Sequence, residues 1–174
     1  MAQAQFHLEI VTPEGVQLSE DIDELTAPSV DGQFGVLPGH RPMLAALATG
    51  IISFIQGGAV TQVAVGPGYV EIHDDRAVVL TDRFSTKEAV DPVRVRLDLK
   101  QADEALDHYA GELGSGEHSD LVAKELWAAA LLELYGDPPP PTMRGFDEVR
   151  PPVDYSGDTA EKSADDKSND HAAH

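Results

Sequence analysis

The sequence predicts a mainly β chain with added α structure: an N-terminal β-sandwich, then an antiparallel two-helix hairpin, then a disordered acidic tail. Three observations support this class. Hydrophobic residues alternate with polar ones up to about residue 87, and they then recur every three or four residues up to about residue 136. The last stretch contains many prolines and acidic residues but few large hydrophobic ones.

Residues 1–87 have the pattern of short strands joined by tight turns. In QFHLEIV, Phe6, Leu8 and Ile10 alternate with polar neighbours, which is the period of a half-buried strand. Gly57-Gly58 separates two further strand-like runs, as in a β-hairpin. Short strands at roughly ten-residue spacing are typical of a β-sandwich, which we expect to be the interaction domain.

Residues 88–136 predict two helices. Asp91 followed by Pro92 is a helix start, and a hydrophobic stripe beginning at Val95 continues the first helix. We expect the second helix to begin at Ser119 or Asp120 and to end at Gly136. This second helix is hydrophobic on nearly all sides, so it should pack against the first helix and against something more.

Residues 137–174 are predicted to be a disordered, proline-rich acidic tail, because they contain too little hydrophobic surface to offset the entropy of ordering. The whole chain carries 31 acidic and 12 basic residues, a formal net charge of -19. Such a charge disfavours nucleic acid and anionic lipid as direct partners. The chain contains no cysteine, and its first residues resemble neither a signal nor a transit peptide.

No arrangement of residues predicts catalysis, a metal site or a cofactor. The seven histidines are scattered and do not have the spacing of metal ligands, which favours surface histidines. The sequence also lacks a nucleophile elbow, a P-loop and a dinucleotide-binding fingerprint.

The segment DGQFGVLPGHRPML, residues 31–44, is the most unusual in the chain. Its glycines suggest backbone conformations with positive φ, and Pro38 and Pro42 stiffen it. A stiff loop loses little entropy when a protein docks on it, which favours a protein interface. Two alternatives remain: a hydrolase that uses His40, and an independent β-sandwich binding module with an acidic tail.

The same segment resembles the signature loop of the epsilon subunit of rotary, F-type ATP synthases. All of its glycines and prolines match the family pattern, and so do Phe34, His40 and Leu44. The stretches VTPEG, GYVEI and VVLTD also match, in the family's order, and the resemblance extends from residue 5 to about 135.

The resemblance implies a non-catalytic subunit of the central stalk of a proton-translocating ATP synthase. Such a subunit binds the gamma subunit and the c-ring, and it couples rotation of the ring to ATP synthesis. Its helices can modulate ATP hydrolysis through the catalytic alpha and beta subunits. We expect the chain to be held at the cytoplasmic face of the bacterial plasma membrane through this complex, without inserting into lipid. The residues expected to contact gamma or the c-ring are Asp31, Gly32, Gln33, Phe34, Pro38, Gly39, His40, Arg41 and Pro42.

Several positions depart from the family pattern. Gln33 stands where the family commonly has a carboxylate, and Arg41 replaces a small residue. Some members of the family bind ATP in the helical hairpin, and Asp91 and Arg94 match their motif. Other positions of that motif do not match, so a weak ATP site is set against a simpler interpretation, in which Asp91 caps a helix and Arg94 is a surface residue.

Overall fold

The computed structural model describes residues 4–140 and confirms the predicted fold class. It contains ten strands, a short 3₁₀ turn at Lys87–Ala89 and two helices. The strands are β1 (Phe6–Thr12), β2 (Gly15–Ile22), β3 (Glu24–Ser29), β4 (Gly32–Val36), β5 (Met43–Leu47), β6 (Gly50–Gln56), β7 (Ala59–Val65), β8 (Gly68–His73), β9 (Arg76–Thr81) and β10 (Phe84–Thr86). The helices are α1 (Pro92–Asp107) and α2 (Gly116–Tyr135). Residues 141–174, which include nearly all of the predicted tail, lie outside the described residues.

The strands form a nearly closed sandwich. Their order is β10-β7-β6-β3-β5-β8-β9-β1-β2, and β4 pairs with β3 outside this path. All neighbours are antiparallel except β1 and β9, which run parallel. The strand β3 joins the two halves, because it pairs with β6 through Glu24–Thr26 and with β5 through Ser29.

The core lies between the two halves of the sandwich. Along β1 the side chains alternate as predicted, so that Phe6, Leu8 and Ile10 are buried and their neighbours are partly exposed. Neighbouring strands of the same half add Val70 and Val79, and β6 of the other half adds Ile52, each without exposed surface. Burial of each such side chain contributes about 1.5–3 kcal/mol, so the core fixes the register of the strands and the positions of their turns.

The first helix begins where the sequence predicted, and the second begins earlier. The Asp91 carboxylate accepts hydrogen bonds from the amides of Val93 and Arg94 at 3.0 and 3.2 Å. The predicted start of α2 at Ser119 or Asp120 is wrong, since the helix is capped by Ser115, whose hydroxyl accepts the amide of His118. The first turn tolerates Gly116 because its amide has no partner within the helix in any case.

The second helix ends at Gly136, as predicted. This glycine has a φ of 104°, and its amide bonds to the Glu133 carbonyl at 3.0 Å. The next amide, that of Asp137, reaches the Leu132 carbonyl at 2.9 Å, which completes a Schellman motif. The Asp137 carboxylate also accepts hydrogen bonds from Arg96, so the end of α2 is tied to α1.

The second helix packs between α1 and the outer surface of β6 and β7. On one side, Leu132 contacts Val95 of α1. On the other side, Leu134 lies in a cluster with Ile51 and Ala64 of the sandwich. The expectation that α2 packs against more than the first helix is thereby confirmed. Within residues 4–140 neither helix is long and apolar enough to cross a membrane.

Candidate interface of the β-sandwich

The segment 31–44 is divided between two ends of the sandwich and does not form one loop. Asp31 lies in the turn between β3 and β4, residues 32–36 are the strand β4, and the second turn spans residues 37–42. A strand rises about 3.3 Å per residue, so β4 separates the two turns by roughly 13 Å along its length. The predicted interface residues therefore cannot all contact one small surface.

The first turn is tightened by Ser29. Its hydroxyl donates to the Gly32 carbonyl at 2.6 Å and accepts the Asp31 amide at 3.2 Å. Gly32 has a φ of 118°, as the sequence predicted from its glycine. Asp31 and Gln33 are both exposed here, and Phe34 is half-buried against the core.

The second turn is a type II turn formed by Leu37, Pro38, Gly39 and His40. The His40 amide donates to the Leu37 carbonyl at 3.1 Å, and Gly39 has a φ of 76°. The Gly39 amide points out of the turn and donates to the Asp75 carboxylate at 2.6 Å. The stiffness predicted from Pro38 and Pro42 is reinforced here by a contact with the hairpin between β8 and β9.

The His40 ring bonds only locally. Its Nδ1 lies 2.8 Å from the Arg41 carbonyl oxygen, so the ring donates a proton to the backbone. Within residues 4–140 no hydrogen bond joins this ring to a carboxylate or a hydroxyl group. A general base would need such a partner or a nucleophile beside it, so the geometry gives the hydrolase alternative no support. Arg41 and Pro42 are exposed beside it.

A row of apolar side chains crosses the outer face of β5, β8, β9, β1 and β2. The register places Ala46 beside Tyr69, Tyr69 beside Leu80, Leu80 beside Val11, and Val11 beside Val16. Tyr69, Leu80 and Val16 are 57%, 49% and 57% exposed. An outward face of a sheet is ordinarily polar, so a contiguous apolar row there indicates a surface that another protein covers.

Charged side chains occupy part of the rest of that face. At the end of the face near His40, Arg76 pairs with Glu9 at 2.5 Å, and His7 Nδ1 lies 2.8 Å from the Asp21 carboxylate. These pairs flank the apolar row on one side. Apolar surface bordered by polar groups is also found in many protein interfaces.

Of the two residues predicted to bind ATP, one already bonds within the protein and the other is exposed to solvent. The Asp91 carboxylate caps α1, and Arg94 is exposed on the first turn of that helix. A groove of about 340 Å³ lies between α1 and α2, and it is lined by Arg83, Lys124 and Trp127 together with Asp98.

Within residues 4–140 no group of three or more His, Asp or Glu side chains could hold a metal ion.

Sequence reasoning missed the apolar row and Asp75. A signal for the row existed: in VVL at residues 78–80, Val79 is buried, so its neighbours Val78 and Leu80 lie on the outward face of the strand. For Asp75 there was no such signal, because its contact with Gly39 joins residues 36 positions apart.

Comparison with known proteins identifies the family. Residues 5–87 match the family described as ATP synthase, Delta/Epsilon chain, beta-sandwich domain. ATP synthase epsilon chain 2 of Syntrophotalea carbinolica is 44% identical over 106 residues, which cover 61% of this chain and 76% of that protein. The ATP synthase epsilon chain of Anaeromyxobacter dehalogenans is 36% identical over 129 residues, which cover 74% of this chain and 96% of that protein.

Solved structures show the same fold. A chain of the Euglena gracilis mitochondrial ATP synthase, in a structure of its OSCP, F1 and c-ring, aligns with a TM-score of 0.57 and 23% identity, over 77% of this chain and 79% of that one. A chain from the central stalk and c-ring of the Tetrahymena thermophila enzyme aligns with a TM-score of 0.50 and 13% identity, over 78% and 99%. With its fold and its sequence in agreement, the chain belongs to the family of ATP synthase epsilon chains, subunits of the rotor stalk of that enzyme.

Proposed function

We propose that this epsilon chain is a non-catalytic coupling subunit with two separate docking surfaces, one for the gamma subunit and one for the c-ring of a proton-translocating ATP synthase. The family supports the partners, and the separation of the two turns by β4 supports two surfaces. The complex would hold the chain at the cytoplasmic face of the bacterial plasma membrane.

The gamma subunit is assigned to the outer face of β5, β8, β9, β1 and β2. The observation that supports this assignment is the apolar row, in which the exposed Tyr69, Leu80 and Val16 are joined across the strands by the partly buried Val11. Pro42 and Leu44 extend the same face toward His40, and Leu44 is 70% exposed. Burial of such side chains contributes about 1.5–3 kcal/mol each, which favours a lasting contact over a transient one.

The c-ring is assigned to the turn between β3 and β4. Its exposed tip is Val30 and Asp31, and Gln33 follows on the strand. The polar loops of a ring would meet one carboxylate here in place of the two that the family commonly presents. We expect this contact to depend less on salt than it would with a second carboxylate, because surface charges are screened.

The helical hairpin, residues 88–136, is proposed as a regulatory unit that acts on the catalytic alpha and beta subunits. In the structure, α2 is docked on β6 and β7, so the hairpin would have to leave the sandwich to reach those subunits. Residues 89–135 hold 10 acidic and 4 basic side chains, which disfavours an acidic partner. Weak binding of ATP at Asp91 and Arg94 stays a prediction, which calorimetry on the wild type and on Arg94→Ala would test.

Binding to isolated gamma tests the assignment of the apolar row. Leu80→Ser places a hydroxyl in the row, and Val60→Ser is the matched control, since Val60 is 64% exposed on β7, outside the row. We expect the first variant to weaken binding at least tenfold and the second to leave it unchanged. Equal affinities for both variants would exclude the row. Failure of the wild type to bind gamma at all would favour the independent binding module.

A further inference from the structure

The Gly39 amide has no acceptor within its own turn. In a type II turn the hydrogen bond joins the first and fourth residues, here Leu37 and His40, and it leaves the third amide pointing outward. The Asp75 carboxylate accepts this amide at 2.6 Å, which is a short, charge-assisted hydrogen bond. Among the hydrogen bonds of the described residues, this one connects the turn at residues 37–42 to a part of the chain that is distant in sequence.

Asp75 is itself held in place. It lies with Asp74 in the two-residue turn between β8 and β9, and both have positive φ, 53° and 48°. The Asp75 carbonyl accepts the His7 amide at 2.9 Å, which joins the turn to the start of β1. One residue thus connects β1, the β8–β9 hairpin and the turn at Gly39, and its carboxylate has little freedom to follow that turn if the turn moves.

We propose that Asp75 is the positioning residue for the turn at residues 37–40, and that its carboxylate sets how this turn is presented to the gamma subunit. The inference rests on the proposed function, since that function places the turn at the edge of the gamma surface. Without the carboxylate, the Gly39 amide loses its hydrogen-bond acceptor, and the turn at residues 37–40 can move. Docking must then order this turn, so the affinity for gamma falls although Asp75 itself does not need to contact gamma.

The test separates the side chain from the backbone of the hairpin. Asp75→Gly removes the carboxylate but keeps the positive φ, which glycine adopts without strain. Asp75→Asn keeps an acceptor oxygen and also tolerates this conformation. Asp74→Gly is the matched control, because it removes the same charge from the same turn, where the Asp74 carboxylate lies 3.7 Å from His73. Two measurements are made on the full chain: hydrogen exchange of the Gly39 amide by NMR, and affinity for isolated gamma by calorimetry.

We expect Asp75→Gly to accelerate exchange at Gly39 and to weaken gamma binding by about three- to tenfold. Asp74→Gly should stay near the wild type in both measurements, and Asp75→Asn should fall between the wild type and Asp75→Gly because its acceptor oxygen is neutral. Unchanged exchange in Asp75→Gly would overturn the positioning role, and faster exchange with unchanged affinity would overturn its link to docking. If wild-type protein does not bind gamma, the proposed function fails, and the exchange rates alone still decide whether Asp75 holds the turn.

Discussion

Replacing Leu134 by alanine should release the helical hairpin from the sandwich and leave both parts folded. Leu134 is 3% exposed and packs on Ile51 and Ala64, with Trp127 and Leu131 beside it. These few side chains form most of the apolar contact between α2 and the strands. The cluster between α1 and α2 shares Leu131 with this contact, but its buried members Val95, Ala128 and Leu132 are not part of the cluster around Leu134, so the hairpin should survive undocking.

The magnitude follows from the buried surface. Truncation of a buried leucine to alanine costs about 2–5 kcal/mol in a rigid core, and the transfer term alone is about 1.5–3 kcal/mol. The hairpin can relax by moving away, so the lower part of this range applies. A loss of about 2–3 kcal/mol would lower the docking constant roughly 30- to 150-fold.

The single tryptophan provides the assay. Trp127 packs against the cluster around Leu134, and the Arg83 guanidinium lies 5.9 Å from its ring centre. On undocking, its emission should shift to the red while far-UV circular dichroism keeps its helical signal. Leu132→Ala is the matched control: Leu132 is equally buried but packs on α1, so this change should weaken the helical signal itself.

Two results would refute this reasoning. The first is unchanged tryptophan emission in Leu134→Ala, which would show that the docking contact does not depend on this side chain. The second is a single unfolding transition in which helical and strand signals disappear together in both variants. The sandwich and the hairpin would then form one cooperative unit with no separate docking step.

Three further predictions concern a glycine at the start of β8, the chain end and the hairpin. Gly68→Ala should destabilise the chain by about 3 kcal/mol or more in urea unfolding, because a Cβ would overlap the carbonyl oxygen of Leu80; a change near zero would contradict this. A chain ending at Pro140 should melt like the full chain, whereas one ending at Gly136 should melt lower because it lacks the last bonds of the Schellman motif. Ending the chain at Ser85 should change ATP hydrolysis by the assembled enzyme less than about twofold, because the hairpin is acidic; a many-fold rise would show strong inhibition.

The sequence was sufficient wherever a feature is set by neighbouring residues. Asp91 followed by Pro92 located the start of α1, and the glycines at 32 and 39 predicted positive φ. The start of α2 was missed because Ser115 and Ser119 both suit an N-cap, and only the structure shows the Ser115 hydroxyl accepting an amide.

Features set by distant residues were not predictable in this way. The apolar row depends on parallel pairing between β1 and β9. This pairing places Val11 beside Leu80, although most of the sequence of the sandwich lies between these two residues. A shift of one residue in that pairing would have turned Leu80 toward the core, and nothing in the local pattern fixes the register. The same holds for Asp75, whose contact with Gly39 depends on the pairing of β5 with β8.

The division of residues 31–44 into two turns bears on the proposed coupling role. A subunit that carries force between two partners needs a stiff connection between its two contacts. The strand β4 provides one, since all five of its residues pair with β3, from Gly32 opposite Ser29 to Val36 opposite Leu25. Each end is then fixed by a side chain from outside the strand, Ser29 at one turn and Asp75 at the other. The glycines shape the turns, but the resistance to displacement comes from the strand pairing and from these two anchors.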